Sequence, residues 1–118
     1  MDATKNKEKF SVCAVDYAFR RIGGKYKGRV LWYLHQHQVL RYGELRKTIL
    51  DITPKMLSQT LKELEQDGLI HRESYHEVPP KVEYTLTAEG LELMPVIGLL
   101  FEWGFKQLEK AKIEGMPC

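Results

Sequence analysis

Residues 53–68 read TPKMLSQTLKELEQDG, and residues 69–87 continue LIHRESYHEVPPKVEYTLT. The first stretch predicts a short amphipathic helix. Thr53 can cap it through its hydroxyl, and Pro54 suits the first helical position, where a missing N–H has no partner to lose. Leu57, Leu61 and Leu64 fall at i, i+4 and i+7, one apolar stripe for a core. Lys55, Ser58, Gln59 and Lys62 lie on other faces, all able to donate hydrogen bonds and two of them positive. Asp67-Gly68 should end the helix, because glycine takes the left-handed conformation that closes a C-terminus. Such an outer face suits the reading of DNA bases, with a solvated surface helix as the plain alternative.

The second stretch shifts the balance. Val82, Tyr84 and Leu86 alternate with Lys81, Glu83 and Thr85, the period of a half-buried strand. Residues 69–77 fit less cleanly as its partner, with Ile70 and Tyr75 among charges. Val78, Pro79 and Pro80 form a stiff tip that carries Lys81. A helix followed by a β-hairpin with a basic tip is the layout of a winged helix-turn-helix. The fold class expected is mainly α with a small antiparallel β-wing (α+β).

The whole chain of 118 residues suits one domain, 1–118, with a modest core and no need of disulfide staples. Cys13 and Cys118 lie far apart and form no metal or disulfide spacing, which suits a reducing cytoplasm. The start, MDATKNKEKF, lacks the apolar run of a signal peptide, and residues 1–12 read as a polar tail. The longest uncharged stretch, Leu93 to Phe101, is too short to span a bilayer. A cytoplasmic protein without membrane association is expected.

The net charge of +2 predicts nothing about nucleic acid, but its distribution is uneven. Residues 1–29 carry eight Lys/Arg against three Asp/Glu, and residues 30–62 five against two, whereas residues 63–85 carry two against six. A positive face is compatible with the low total.

Taken in order, Val15, Tyr17, Phe19 and Ile22 suggest a helix from about Ala14, ended by Gly23-Gly24. A second helix, KYKGRVLWYLHQ, follows from Lys25, and Val39-Leu40-Arg41 suits a short third strand. Residues 43–49 predict a two-turn helix with Leu45 and Ile49 on one face, and Leu50-Asp51-Ile52 turns the chain into Thr53. Short helix, tight turn and capped second helix make a helix-turn-helix. Thr87 can cap a last helical region over 87–112, which Pro95 should kink or restart. Its apolar residues are too many for one stripe, so it should be buried on more than one side, the second side being another subunit. Tyr17, Leu93, Ile97, Leu100, Phe101, Trp103 and Phe105 are the dimerisation candidates.

Several landmarks combine along the chain: Cys13 with Asp16, Ile22-Gly23-Gly24-Lys25, and Arg41-Tyr42-Gly43-Glu44-Leu45. Leu57-Ser58-Gln59, Leu61-Lys62-Glu63-Leu64, Asp67-Gly68-Leu69-Ile70, Val78-Pro79-Pro80-Lys81 and Trp103-Gly104 continue them. Over roughly residues 13–104 the sequence resembles the HxlR-type winged helix-turn-helix transcriptional regulators of bacteria and archaea, a MarR-like group. That resemblance implies a homodimer on double-stranded DNA, with no catalytic cofactor. Ala14 stands where the family usually has proline, and Tyr26 where it usually has tryptophan. Some members sense electrophiles or oxidants through a cysteine at the position of Cys13. A helix N-terminus favours a reactive thiolate, Asp16 would oppose it, and the bland alternative is an inert cysteine at a dimer core. Cys118 is at most an adventitious disulfide partner. The identity of any small-molecule effector is open.

For DNA contact, Lys55, Ser58 and Gln59 are the candidates for base edges, since lysine can donate to guanine and glutamine can pair with adenine. Lys62 and Arg41 read as phosphate clamps, with Thr53 and Pro54 at the helix start. Lys81 would reach a minor groove or phosphate, and Lys25 and Lys27 would favour a phosphate at the start of the second helix. Solvated lysines are the alternative in each case. His35 and His37 face different sides of a helix, no ligand cluster accompanies them, and no metal site is expected. No nucleophile–base pair or phosphate loop points to an enzyme. The main rival is a winged-helix module for protein–protein contact without specific DNA binding.

Overall fold

A computed structural model describes residues 12–115. The tail expected over 1–12 and the terminal Cys118 lie outside the described residues, Val12 excepted. Helices α1 (Ala14–Ile22) and α2 (Lys27–His37) lead into strand β1 (Leu40–Arg41), then α3 (Tyr42–Thr48) and α4 (Pro54–Gln66). Strands β2 (Ile70–Tyr75) and β3 (Lys81–Leu86) follow, then α5 (Ala88–Glu92) and α6 (Met94–Ala111). The antiparallel sheet has the order β1-β3-β2, with Leu40 opposite Tyr84 and Ile70 opposite Leu86. This is a winged helix-turn-helix, as the sequence predicts.

The core explains the order of the elements. Val30, Leu31 and Leu34 of α2 meet Leu45 of α3, Ile49 just after it, and Leu57, Leu61 and Leu64 of α4. Ile70 and Tyr84 close it from the sheet, and Met94 and Ile97 from the start of α6. Burying side chains of this size is worth roughly 1.5–3 kcal/mol each before the entropy of ordering is set against it.

The end of α4 is tied twice. Gly68, at φ +76°, lets its own N–H reach the Glu65 carbonyl and the Leu69 N–H reach the Leu64 carbonyl, both at 3.0 Å. Two such bonds across a left-handed glycine make a Schellman motif. The Thr87 hydroxyl donates to the Gly68 carbonyl at 2.6 Å and accepts from the Gly90 N–H at 3.1 Å, capping α5. Gly90 is required here, because a Cβ on it would collide with the Leu69 carbonyl oxygen.

One expectation is corrected. The second helix starts at Lys27, with Tyr26 at its N-cap, so Lys25 belongs to the turn before it. The last helical region restarts as Pro95 leads one to expect: it is two helices, with Pro95 in the first turn of α6, where its ring and missing N–H break nothing.

Candidate nucleic-acid interface

Helix α4 is built as its sequence implies. The Thr53 hydroxyl accepts from the Met56 N–H at 3.1 Å, which leaves the Thr53 hydroxyl proton to donate elsewhere. Leu57, Thr60, Leu61 and Leu64 are buried. Lys55, Gln59 and Lys62, at i, i+4 and i+7, are exposed on the opposite face. Among the described residues no ion pair engages Lys55 or Lys62, so both charges are available to a phosphate or a base. Tyr42 on α3 steadies the first turn: its hydroxyl donates to the Pro54 carbonyl at 3.0 Å and lies 3.3 Å from the Ser58 hydroxyl. Ser58 is therefore oriented by α3, a relationship the sequence alone did not reveal.

The second base-reading candidate is also held. Gln59 donates through Nε2 to Glu63 at 2.6 Å, and Glu63 faces the Lys27 ammonium at 3.2 Å. The Gln59 hydrogen bond, then Lys27, holds the Glu63 carboxyl below the usual carboxylate range. Lys27 is thereby drawn toward its own chain. Its side chain is only 17% exposed and its ammonium also donates to the Arg20 carbonyl at 3.2 Å, so it closes an internal contact. Lys25 remains outward but leans on Asp51 at 3.5 Å.

The wing departs further from expectation. Lys81 opens β3 rather than standing on a bare tip, its ammonium lying 4.4 Å over the Tyr75 ring. Glu77 and Glu83 lie 3.7 and 3.9 Å from that ammonium, and the side chain is 24% exposed. The wing is not a free basic tip: three carboxylates, Glu73, Glu77 and Glu83, surround Tyr75 and raise its phenol pKa, Glu83 most strongly. Arg41 stays exposed, in register opposite Glu83, and its backbone N–H donates to Glu44 at 2.7 Å. Arg72, exposed on β2 opposite Tyr84, is a wing cation that sequence reasoning passed over.

The sequence model of the HxlR-like helix-turn-helix family matches residues 21–112. The chain belongs to that family. A Fusobacterium mortiferum protein provisionally named the regulatory protein MalR is 47% identical over 100 residues, covering 85% of this chain and 92% of its own. The redox regulator HypR in its reduced form superposes with a TM-score of 0.79 at 40% identity, over 85% of this chain and 98% of that one. Its oxidised form gives 0.75 at 44% identity, over 80% and 96%. With its helix-turn-helix and wing, this HxlR-family chain is a DNA-binding transcriptional regulator.

The remaining candidates of this HxlR-family chain lie away from α4. Cys13 is an exposed free thiol at the N-cap of α1, and Asp16 one turn on is paired with Arg20 at 3.1 Å. Tyr17 on α1 is exposed and takes the Arg21 guanidinium 3.8 Å over its ring. On α6, Leu100, Phe101, Trp103 and Phe105 are exposed, Trp103 at 65%. Ile97 is not, at 7%: it packs into the core of its own chain, with half-buried Leu93 beside it, which leaves little of either for a partner. The apolar surplus of α6 is thus divided, Met94 and Ile97 facing inward, Phe101 stacking on Trp32 of α2, and Val96, Leu99, Leu100, Trp103 and Phe105 exposed. Among the described residues no cluster of His, Cys, Asp and Glu is placed to hold a metal, and no helix is long and apolar enough to cross a membrane.

Proposed function

We propose that the chain acts as a homodimer that sets α4 into successive major grooves of a pseudo-palindromic operator in the cytoplasm. The observation that carries the reading is the row Lys55, Gln59, Lys62, exposed and, among the described residues, without an acidic partner at Lys55 or Lys62, directly opposite the buried leucines of α4. Lys55, Ser58 and Gln59 meet base edges. Thr53, Lys62 and Arg41 hold phosphates, with Pro54 starting the helix and Lys25 at the flank. Lys81, drawn in by two carboxylates, contributes less than its sequence position promised.

The homodimer rests on Tyr17 of α1 and on Leu100, Phe101, Trp103 and Phe105 of α6, apolar side chains that a lone chain leaves in water. A two-fold pair places two α4 helices about one helical turn of DNA apart. HypR carries the name of a redox regulator and is known in oxidised and reduced forms. Cys13, exposed at the head of α1, is the thiol through which this chain would respond to oxidants or electrophiles. A protein-docking role without DNA is the rival, and the exposed lysines of α4 speak against it.

The salt dependence of binding to duplex DNA tests the electrostatic half of this reading. Each phosphate contact adds roughly 0.9 to the slope of log affinity against log salt. Lys62→Ala should lower that slope by about 1 and weaken binding to all sequences alike. A slope near zero for the parent protein would remove DNA as the partner.

A further inference from the structure

Gln59 and Glu63 sit one turn apart on α4, and their contact is directional. An ionised carboxylate only accepts hydrogen bonds, so the amide nitrogen of Gln59, and never its oxygen, must face Glu63. The 2.6 Å separation is that of a tight charge-assisted bond. Glu63 cannot swing away freely, because its other oxygen faces Lys27 at 3.2 Å, and Lys27 is itself anchored to the Arg20 carbonyl at the end of α1. The chain of contacts runs from the α1 terminus through Lys27 and Glu63 to a side chain on the outer face of α4.

We infer that Glu63 is a specificity-determining positioning residue, which fixes the Gln59 carboxamide so that its oxygen and remaining N–H meet one adenine in the major groove. The inference rests on the proposal that α4 reads DNA. Adenine offers an N6 amino donor beside an N7 acceptor, the complement of a carboxamide held in one orientation. A free glutamine can flip its amide and present the same pair of groups reversed, which suits other base edges. Glu63 removes that freedom without touching DNA. Lys27 neutralises the carboxylate, so its charge does not repel the phosphates nearby.

The test uses the full-length protein, an operator fragment recovered by genomic selection, and duplexes changed at each base pair in turn. Gln59→Ala should lower discrimination at one A·T pair per half-site by about 5- to 150-fold. Glu63→Ala should lower discrimination at that same pair, in the same direction, while binding to scrambled duplex stays unchanged or tightens. Glu63→Gln, whose carboxamide donates as well as accepts and so permits the flipped Gln59 amide, should also lose most of the preference. The double variant Gln59→Ala/Glu63→Ala should be no less selective than Gln59→Ala alone. Thermal melting of each variant separates these effects from loss of fold. Discrimination lost in Gln59→Ala but kept in Glu63→Ala overturns the role of Glu63. Discrimination kept in both overturns the reading of Gln59, and the inference with it. A uniform loss of affinity in both Glu63→Ala and Glu63→Gln, with base preference unchanged, marks Glu63 as a structural ion pair and also overturns it.

Discussion

The guanidinium of Arg29, on α2, grips both carboxylate oxygens of Asp51, at 2.9 and 3.2 Å. Asp51 lies on the turn between α3 and α4, two residues before the Thr53 cap. The Tyr26 hydroxyl donates to the Asp51 backbone carbonyl at 2.9 Å, so the turn is held by side chain and backbone together. The Arg29 hydrogen bond is the largest cause of the lowered Asp51 pKa, and Asp51 in turn raises that of Arg29.

A carboxylate whose folded pKa is depressed stabilises the fold above its unfolded pKa, and that contribution disappears as pH falls through the folded value. Asp51→Asn should therefore unfold at lower urea than the parent at pH 7. The gap should close as the pH drops below about 4, the ordinary carboxylate range. Urea midpoints at pH 7, 5 and 3 check this, and a gap that does not change with pH would contradict it.

Folding and reading separate along α4. Leu57→Ala, at a fully buried position, should cost about 2–5 kcal/mol, and Thr53→Ala about 1 kcal/mol through the lost cap. Lys55→Ala should stay within about 0.5 kcal/mol of the parent in stability. Its operator affinity should nevertheless fall by about 1–3 kcal/mol. Chemical denaturation paired with fluorescence anisotropy on an operator duplex measures both quantities.

The outward face of α6 predicts the oligomeric state. Phe101→Asp combined with Trp103→Asp should convert a dimer to a monomer by light scattering at micromolar concentration. The helical circular dichroism signal should persist, since neither side chain belongs to the buried core. A parent protein that is itself monomeric at this concentration would remove the dimer.

Treatment with diamide should change the DNA affinity of the parent protein and leave Cys13→Ser unaffected. A Cys13→Ser variant that responds as the parent does would end the thiol-switch reading.

How far the sequence could be read depended on whether an interaction is local. The start, face and end of α4 follow from Thr53, Pro54, the leucine spacing and Gly68, all within one segment, and the structure agrees. The Lys27–Glu63 pair is not legible in the sequence, because the two residues lie on different helices and nothing in either segment announces the pairing. Lys81 was legible in principle. Glu77 and Glu83 flank it closely in sequence, and Glu83, two residues along a strand, shares its face, a local signal of a partly neutralised tip. The inward side of Ile97 is not legible either, because α6 is apolar almost all round and periodicity cannot say which side meets the chain's own core.

The most direct measurement is an affinity selection from sheared genomic DNA with the purified protein, set beside Lys55→Ala/Gln59→Ala. Sequencing of the bound fragments should return a pseudo-palindromic motif with half-sites about one helical turn apart, absent from the variant's selection. Uniform recovery of fragments, or the same motif from both proteins, would contradict the assignment of α4 as the reading helix.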